Sequence, residues 1–120
     1  MASTHNEFVD YVVELMAGWA PVSARRMFGG YGLYREGQMF ALIIEDELFF
    51  KTDQDNAAQF KRVASHPFVY VSQMRTVQLS YWSAPEVCLE SPAEINVWCQ
   101  SAYGAALRAQ AAKASKRKRK

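Results

Sequence analysis

The sequence predicts an α+β domain, a two-layer α/β arrangement with an antiparallel sheet, in the order α-β-β-β-α-β-β-α. Three observations predict it. Apolar residues recur at helical spacing near both ends, strand-like runs between them are joined by very short turns, and a second helical pattern interrupts the strands. Turns of two or three residues require antiparallel neighbours. Helices set among such strands stack on one face of the sheet. With 120 residues, half of them hydrophobic, the chain can bury one core.

The first helix is expected over roughly 5–19. Thr4 and Glu7 form a capping box, and Phe8, Val12, Leu15, Met16 and Trp19 make one apolar face. Gly18 and Pro21 end it. Three strands follow: Met27 to Tyr34, Met39 to Ile44 and Leu48 to Lys51, turning at Arg35-Glu36-Gly37 and Glu45-Asp46-Glu47. The run Met39-Phe40-Ala41-Leu42-Ile43-Ile44 is apolar on both faces, which makes that strand central. Thr52 with Asp55 gives a second capping box, opening a short helix through Phe60 that must stop before Pro67. Phe68 to Val71 and Val77 to Tyr81 read as the last strand pair. Ser91-Pro92-Ala93-Glu94 is the strongest helix start: a capping Ser, Pro at the first position, Glu three residues after the Ser. Ile95, Trp98, Cys99, Ala102, Ala106 and Ala109 continue its stripe.

The stretch Arg25-Arg26-Met27-Phe28-Gly29-Gly30-Tyr31-Gly32-Leu33-Tyr34 is rich in glycine but has no phosphate-loop spacing. A dinucleotide fingerprint needs Gly at the first, third and sixth positions before a helix, and a Walker loop ends in Gly-Lys-Ser/Thr. Glycines in a strand mark a bulge, a bend or a close backbone approach instead.

Together with Met39-Phe40-Ala41-Leu42, Phe49-Phe50-Lys51-Thr52-Asp53 and Leu79-Ser80-Tyr81-Trp82 followed by Pro85-Glu86-Val87, this stretch resembles the N-terminal domain of the TfoX/Sxy family. The similarity runs from about residue 6 to 107. It implies the α/β arrangement above and kinship with cytoplasmic bacterial regulators of natural competence. Those act as transcriptional coactivators beside the cyclic-AMP receptor protein, and the resemblance implies no catalytic residues. Longer members continue into a helical C-terminal domain, whereas this sequence runs into Ala-Lys-Ala-Ser-Lys-Arg-Lys-Arg-Lys. The expected organisation is a TfoX N-terminal-like domain at 1–112 and a basic disordered tail at 113–120.

Charge divides along the same line. The tail holds six of the 14 basic residues, namely Lys113, Lys116, Arg117, Lys118, Arg119 and Lys120, so 1–112 has eight against all 12 acidic ones and a net charge of −4. A body of that sign argues against a nucleic-acid groove in the folded part. The tail attracts DNA or RNA without sequence specificity, or serves as a solubilising end. Arg25, Arg26, Tyr31 and Tyr34 are the candidate contact residues for a protein partner of transcription-regulator type, beside the alternatives of an edge salt bridge and ordinary sheet aromatics.

No cofactor, metal or catalytic set is expected. His5 and His66 have no ligand partners at zinc-helix spacing, and Gly-x-Ser-x-Gly is absent. Cys88 and Cys99 form no Cys-x-x-Cys pair and fit reduced thiols in a cytoplasm, Cys99 as a buried one. No apolar run reaches the roughly eighteen residues of a membrane span, and no secretory signal opens the chain. The alternative reading is a small-molecule-binding or enzymatic α+β domain using the concave side of the sheet. Oligomeric state is not legible in the sequence.

Overall fold

A computed structural model describes residues 6–27, 29–63, 65–72 and 75–118, the side chains of 70–72, 75–79 and 116–118 excepted. The elements are α1 (Glu7–Met16), β1 (Ser23–Met27), β2 (Gly30–Arg35), β3 (Gln38–Ile44), β4 (Glu47–Lys51), α2 (Ala57–Arg62), β5 (Pro67–Ser72), β6 (Arg75–Ser83), a 3-10 turn (Glu86–Leu89) and α3 (Pro92–Lys118). Every neighbouring strand pair is antiparallel, in the order β1-β2-β3-β4-β6-β5. The α+β class and the order of the expected elements hold, with one strand added at the front.

That added strand comes from a turn inside the glycine-rich stretch. The expected strand from Met27 to Tyr34 is instead a hairpin, with Met27 paired to Gly30 and Arg25 to Gly32. Gly29 has φ +76°, a value side chains rarely adopt. The next two connections are two-residue turns with both φ positive or left-handed at Glu36-Gly37 and Glu45-Asp46. Their twist matches that of the flanking strands.

Helices cover one sheet face. There Leu33, Phe40, Ile43, Leu48 and Phe50 meet Val12 and Met16 of α1, Phe60 of α2 and Ile95 and Cys99 of α3. A bulge in β3 supports this packing. Leu33 pairs with Ala41 and Tyr34 with Met39, which leaves Phe40 as the extra residue, so Phe40 and Ala41 both join the helix-side core. On the opposite face Leu42, Phe49 and Tyr81 form a smaller cluster with Met27, Met39, Ile44 and Phe68. The central, doubly covered strand is therefore β3, as its apolar run predicts.

The helix ends differ in detail from expectation. α1 is capped by Asn6, whose Oδ1 accepts the Phe8 and Val9 amides at 2.9 and 3.1 Å, and it stops at Met16 rather than near Trp19. Thr4, the expected cap, lies outside the described residues. The second box forms one residue later and in the turn before α2, whose N-cap Asn56 makes no side-chain cap bond of its own. Asp53 Oδ1 accepts the Asn56 amide at 3.2 Å while Asn56 Oδ1 accepts the Asp53 amide at 2.8 Å. Thr52 still belongs to the sheet, its amide bonded to the Ser80 carbonyl. At α3 the expected cap forms, Ser91 Oγ accepting the Glu94 amide at 3.2 Å.

α3 does not end where the apolar stripe ends. It continues to Lys118, so 113–118, expected to be disordered, extend the helix. Alanine, lysine and arginine are the strongest helix formers, and they dominate this segment.

Candidate interaction surface at the first hairpin

β1 is an edge strand, and Ser23, Ala24, Arg25 and Arg26 are all exposed. Its register divides the four expected contact residues between two faces. Arg25 lies opposite Gly32, and its guanidinium sits 5.1 Å from the Tyr34 ring centre on the methionine side of the sheet. Arg26 lies opposite Tyr31, whose ring packs toward the helix-side core. The structure brings Arg25 to Tyr34 and Arg26 to Tyr31; it does not gather all four.

The glycines explain why this surface is flat. A Cβ on Gly32 would stand 2.6 Å from Met27 Sδ and 2.8 Å from Met39 Sδ, and one on Gly30 would stand 2.2 Å from the Ile43 carbonyl oxygen. All three distances are far inside contact, so these positions serve close packing of β1 and β3 across β2. Tyr34 Oη lies 3.9 Å from Met27 Sδ and completes the patch. Tyr81, beneath it, is pushed up to about 12 by burial and then by the neighbouring Tyr34, so its phenol stays neutral.

Residues that sequence reasoning did not connect also meet here. Arg35, at the end of β2, stacks 4.6 Å from the Trp19 ring centre and 4.8 Å from that of Tyr103. Trp19 donates to Gln100 Oε1 at 3.0 Å and packs edge-on against Phe40 and Tyr103. The guanidinium is thereby held by rings from the α1 turn and α3, which fixes the hairpin base to the helical layer. Trp19 is expected on the apolar face of the first helix, but nothing local in the sequence links it to Arg35 or Tyr103.

A second constellation tests the enzymatic alternative. His66 Nδ1 lies 3.2 Å from Ser83 Oγ, and its Nε2 lies 3.1 Å from Glu47 Oε2, beside a cleft of about 390 Å³. The residue types are those of a hydrolytic triad, but the environment is not. Ser83 Oγ already accepts the His66 amide at 3.0 Å and touches Ser65 Oγ at 3.1 Å. The Ser83 and Ala84 amides, which an oxyanion would need, donate to the His66 and Leu48 carbonyls. The group acts as a latch between the start of β5, the end of β6 and β4. His66, expected as a plain loop residue, is one of its parts. Its partners come from distant segments, so no local motif announced it.

The two thiols are both buried. Burial, and then Glu94, raises Cys88 to about 12, and burial raises Cys99 as well. Neither is a nucleophile at neutral pH. Among the described residues no group of three His, Cys, Asp or Glu side chains is placed to hold a metal ion, and no helix is long and apolar enough to cross a membrane.

A model of the TfoX N-terminal domain matches residues 14–106. The chain belongs to the TfoX N-terminal domain family. The match spans the chain from within α1 to the middle of α3 and includes the whole sheet. A relative, the DNA transformation protein TfoX1 of Aliivibrio fischeri, is 25% identical over 95 residues, or 79% of this chain and 44% of that protein. The chain thus spans less than half the length of this TfoX relative.

Proposed function

We propose that this TfoX N-terminal domain is a non-enzymatic, cytoplasmic regulatory module that acts by protein–protein contact in the control of DNA transformation. Family membership and the relative's name support the biological setting. The observation that carries the contact mode is the exposed edge strand β1 with Arg25 stacked on Tyr34. An edge strand offers unpaired backbone donors and acceptors, and an extended segment of a partner adds to it as one more strand. The cationic side chains favour an acidic segment of a transcription regulator, with the cyclic-AMP receptor protein the first to try.

Calorimetric titration of the full chain against that receptor from the same bacterium tests the reading. Arg25→Glu should weaken binding about tenfold or more, the cost of opposing charges at a contact. Arg26→Glu, on the other face, should matter less. Equal affinity of the parent and Arg25→Glu chains would remove β1 from the interface.

A further inference from the structure

A different cleft gathers two lysines. It lies between the ends of β3 and β4 and the distal half of α3, has a volume of about 150 Å³, and is lined by Gln38, Lys51, Tyr81, Gln110 and Lys113 among others. Lys51 is half-buried and donates to Ser80 Oγ at 2.7 Å, with its ammonium 5.2 Å from the Tyr81 ring centre. Lys113 enters from the helix side. Among the described residues no carboxylate forms an ion pair with either lysine. Asp53, the acid whose charge acts on Lys51, is engaged by Arg108 at 2.6 and 3.0 Å.

Two ammonium groups sharing a small cleft disfavour one another, and burial adds to the penalty. Lys51 reflects this. Burial first and the Lys113 charge second hold it below its ordinary value, with Asp53 only partly opposing. An anion placed between them relieves both effects. The side-chain amides of Gln38 and Gln110 and the hydroxyl of Tyr81, which line the same cleft, supply further donors for oxygen atoms.

We propose that the Lys51–Lys113 cleft is a phosphate-binding site that seats the backbone of a nucleic acid. The choice of a polymer over a free anion rests on continuity. Positions 116 and 117 follow Lys113 at helical spacing of three and four within α3, and both are basic. A second and third phosphate of one strand would therefore meet further basic positions of the same helix. The acidic body excludes a broad groove, but not one phosphate anchor at the root of a cationic helix. Such contacts fix position and read no bases. This inference uses none of the β1 residues and stands apart from the proposed protein contact.

The test is fluorescence anisotropy of a labelled DNA duplex with the full chain across a salt series. Lys113→Gln and Lys51→Gln should each weaken binding about three- to tenfold at low salt and make the log–log salt slope shallower by about 0.9, one phosphate each. Gln110→Glu, which places a carboxylate in the cleft without removing a lysine, should weaken it as well. Lys61→Gln on α2, outside the cleft, should have a smaller effect. Melting curves identify any loss of fold in Lys51→Gln, and the two helix variants read the cleft independently. Equal losses for Lys61→Gln and Lys113→Gln would reduce the effect to net charge and overturn the site. No binding by the parent chain at low salt would overturn it, as would tighter capture of a phosphoserine peptide than of DNA.

Discussion

The two halves of α3 have the same secondary structure for different reasons. In the first, Ile95, Cys99, Ala102 and Ala105 are fully buried against the sheet and α1. In the second, Leu107 is 46% exposed and residues 111–115 are all exposed. Burial holds the first half in place, at roughly 25 cal/mol per Å² of apolar surface. The second depends on the helix propensity of Ala and Lys, and on Arg108, which forks onto Asp53 and also reaches Asp55 Oδ2 at 3.2 Å. An apolar stripe therefore reports where a helix is packed, not where it ends. The packed half serves the fold, while the projecting half is free to present charge.

Thiol chemistry separates the two halves most sharply. Cys99 in the packed half and Cys88 beneath it are kept protonated by burial. At pH 8 they should alkylate on the order of 10³-fold more slowly than a cysteine introduced by Ala111→Cys, because only the thiolate reacts. Comparable rates, followed by mass spectrometry, would mean that the first half opens readily. Stability gives the next largest contrast. Ile95→Ala should cost about 2–5 kcal/mol in a denaturant titration, through lost burial and the cavity left behind. Ala111→Gly, in the projecting half, should cost at most about 1 kcal/mol. Equal costs would erase the distinction between the halves.

How much of this was legible depends on the range of the interaction. The β3 run and the turns at Glu36-Gly37 and Glu45-Asp46 were readable, as was the Ser91 cap, because each is decided within a few residues. The hairpin about Gly29 was not. Strand-forming residues flank the glycines on both sides, and the left-handed φ of +76° that makes Gly29 the reversal point is visible only in the backbone. At the candidate sites, Arg25 and Tyr34 were found from composition, but their shared face depends on the β1–β2 register. The Lys51–Lys113 cleft was invisible, since its lysines are neighbours only once α3 crosses the sheet ends. The extent of α3 was misjudged for a simpler reason. A run of like charge reads as disorder, yet here the same residues are good helix formers joined to an anchored helix.

The smallest expected effect concerns the fork that separates the two halves. Asp53 titrates below the usual carboxyl range, chiefly through its bond from Arg108, with the Asp55 and Asn56 amides adding and burial opposing. Its carboxyl is thus more acidic in the folded chain than in the unfolded one, where it titrates near about 3.9. The stabilisation is therefore complete above that unfolded value and is lost as pH falls through the lower folded one. Because the pair is exposed, its worth is about 1 kcal/mol or less, a factor of about five in local opening. Amide exchange over 105–112, corrected for intrinsic rates, should lose that protection progressively as pH falls below the unfolded carboxyl value. Asp53→Asn should already lack it at pH 7, since Asn retains the turn-forming oxygen but not the charge. Protection that ignored both pH and the substitution would show that helix propensity alone holds the projecting half, and that the cationic arm needs no clamp to keep its direction.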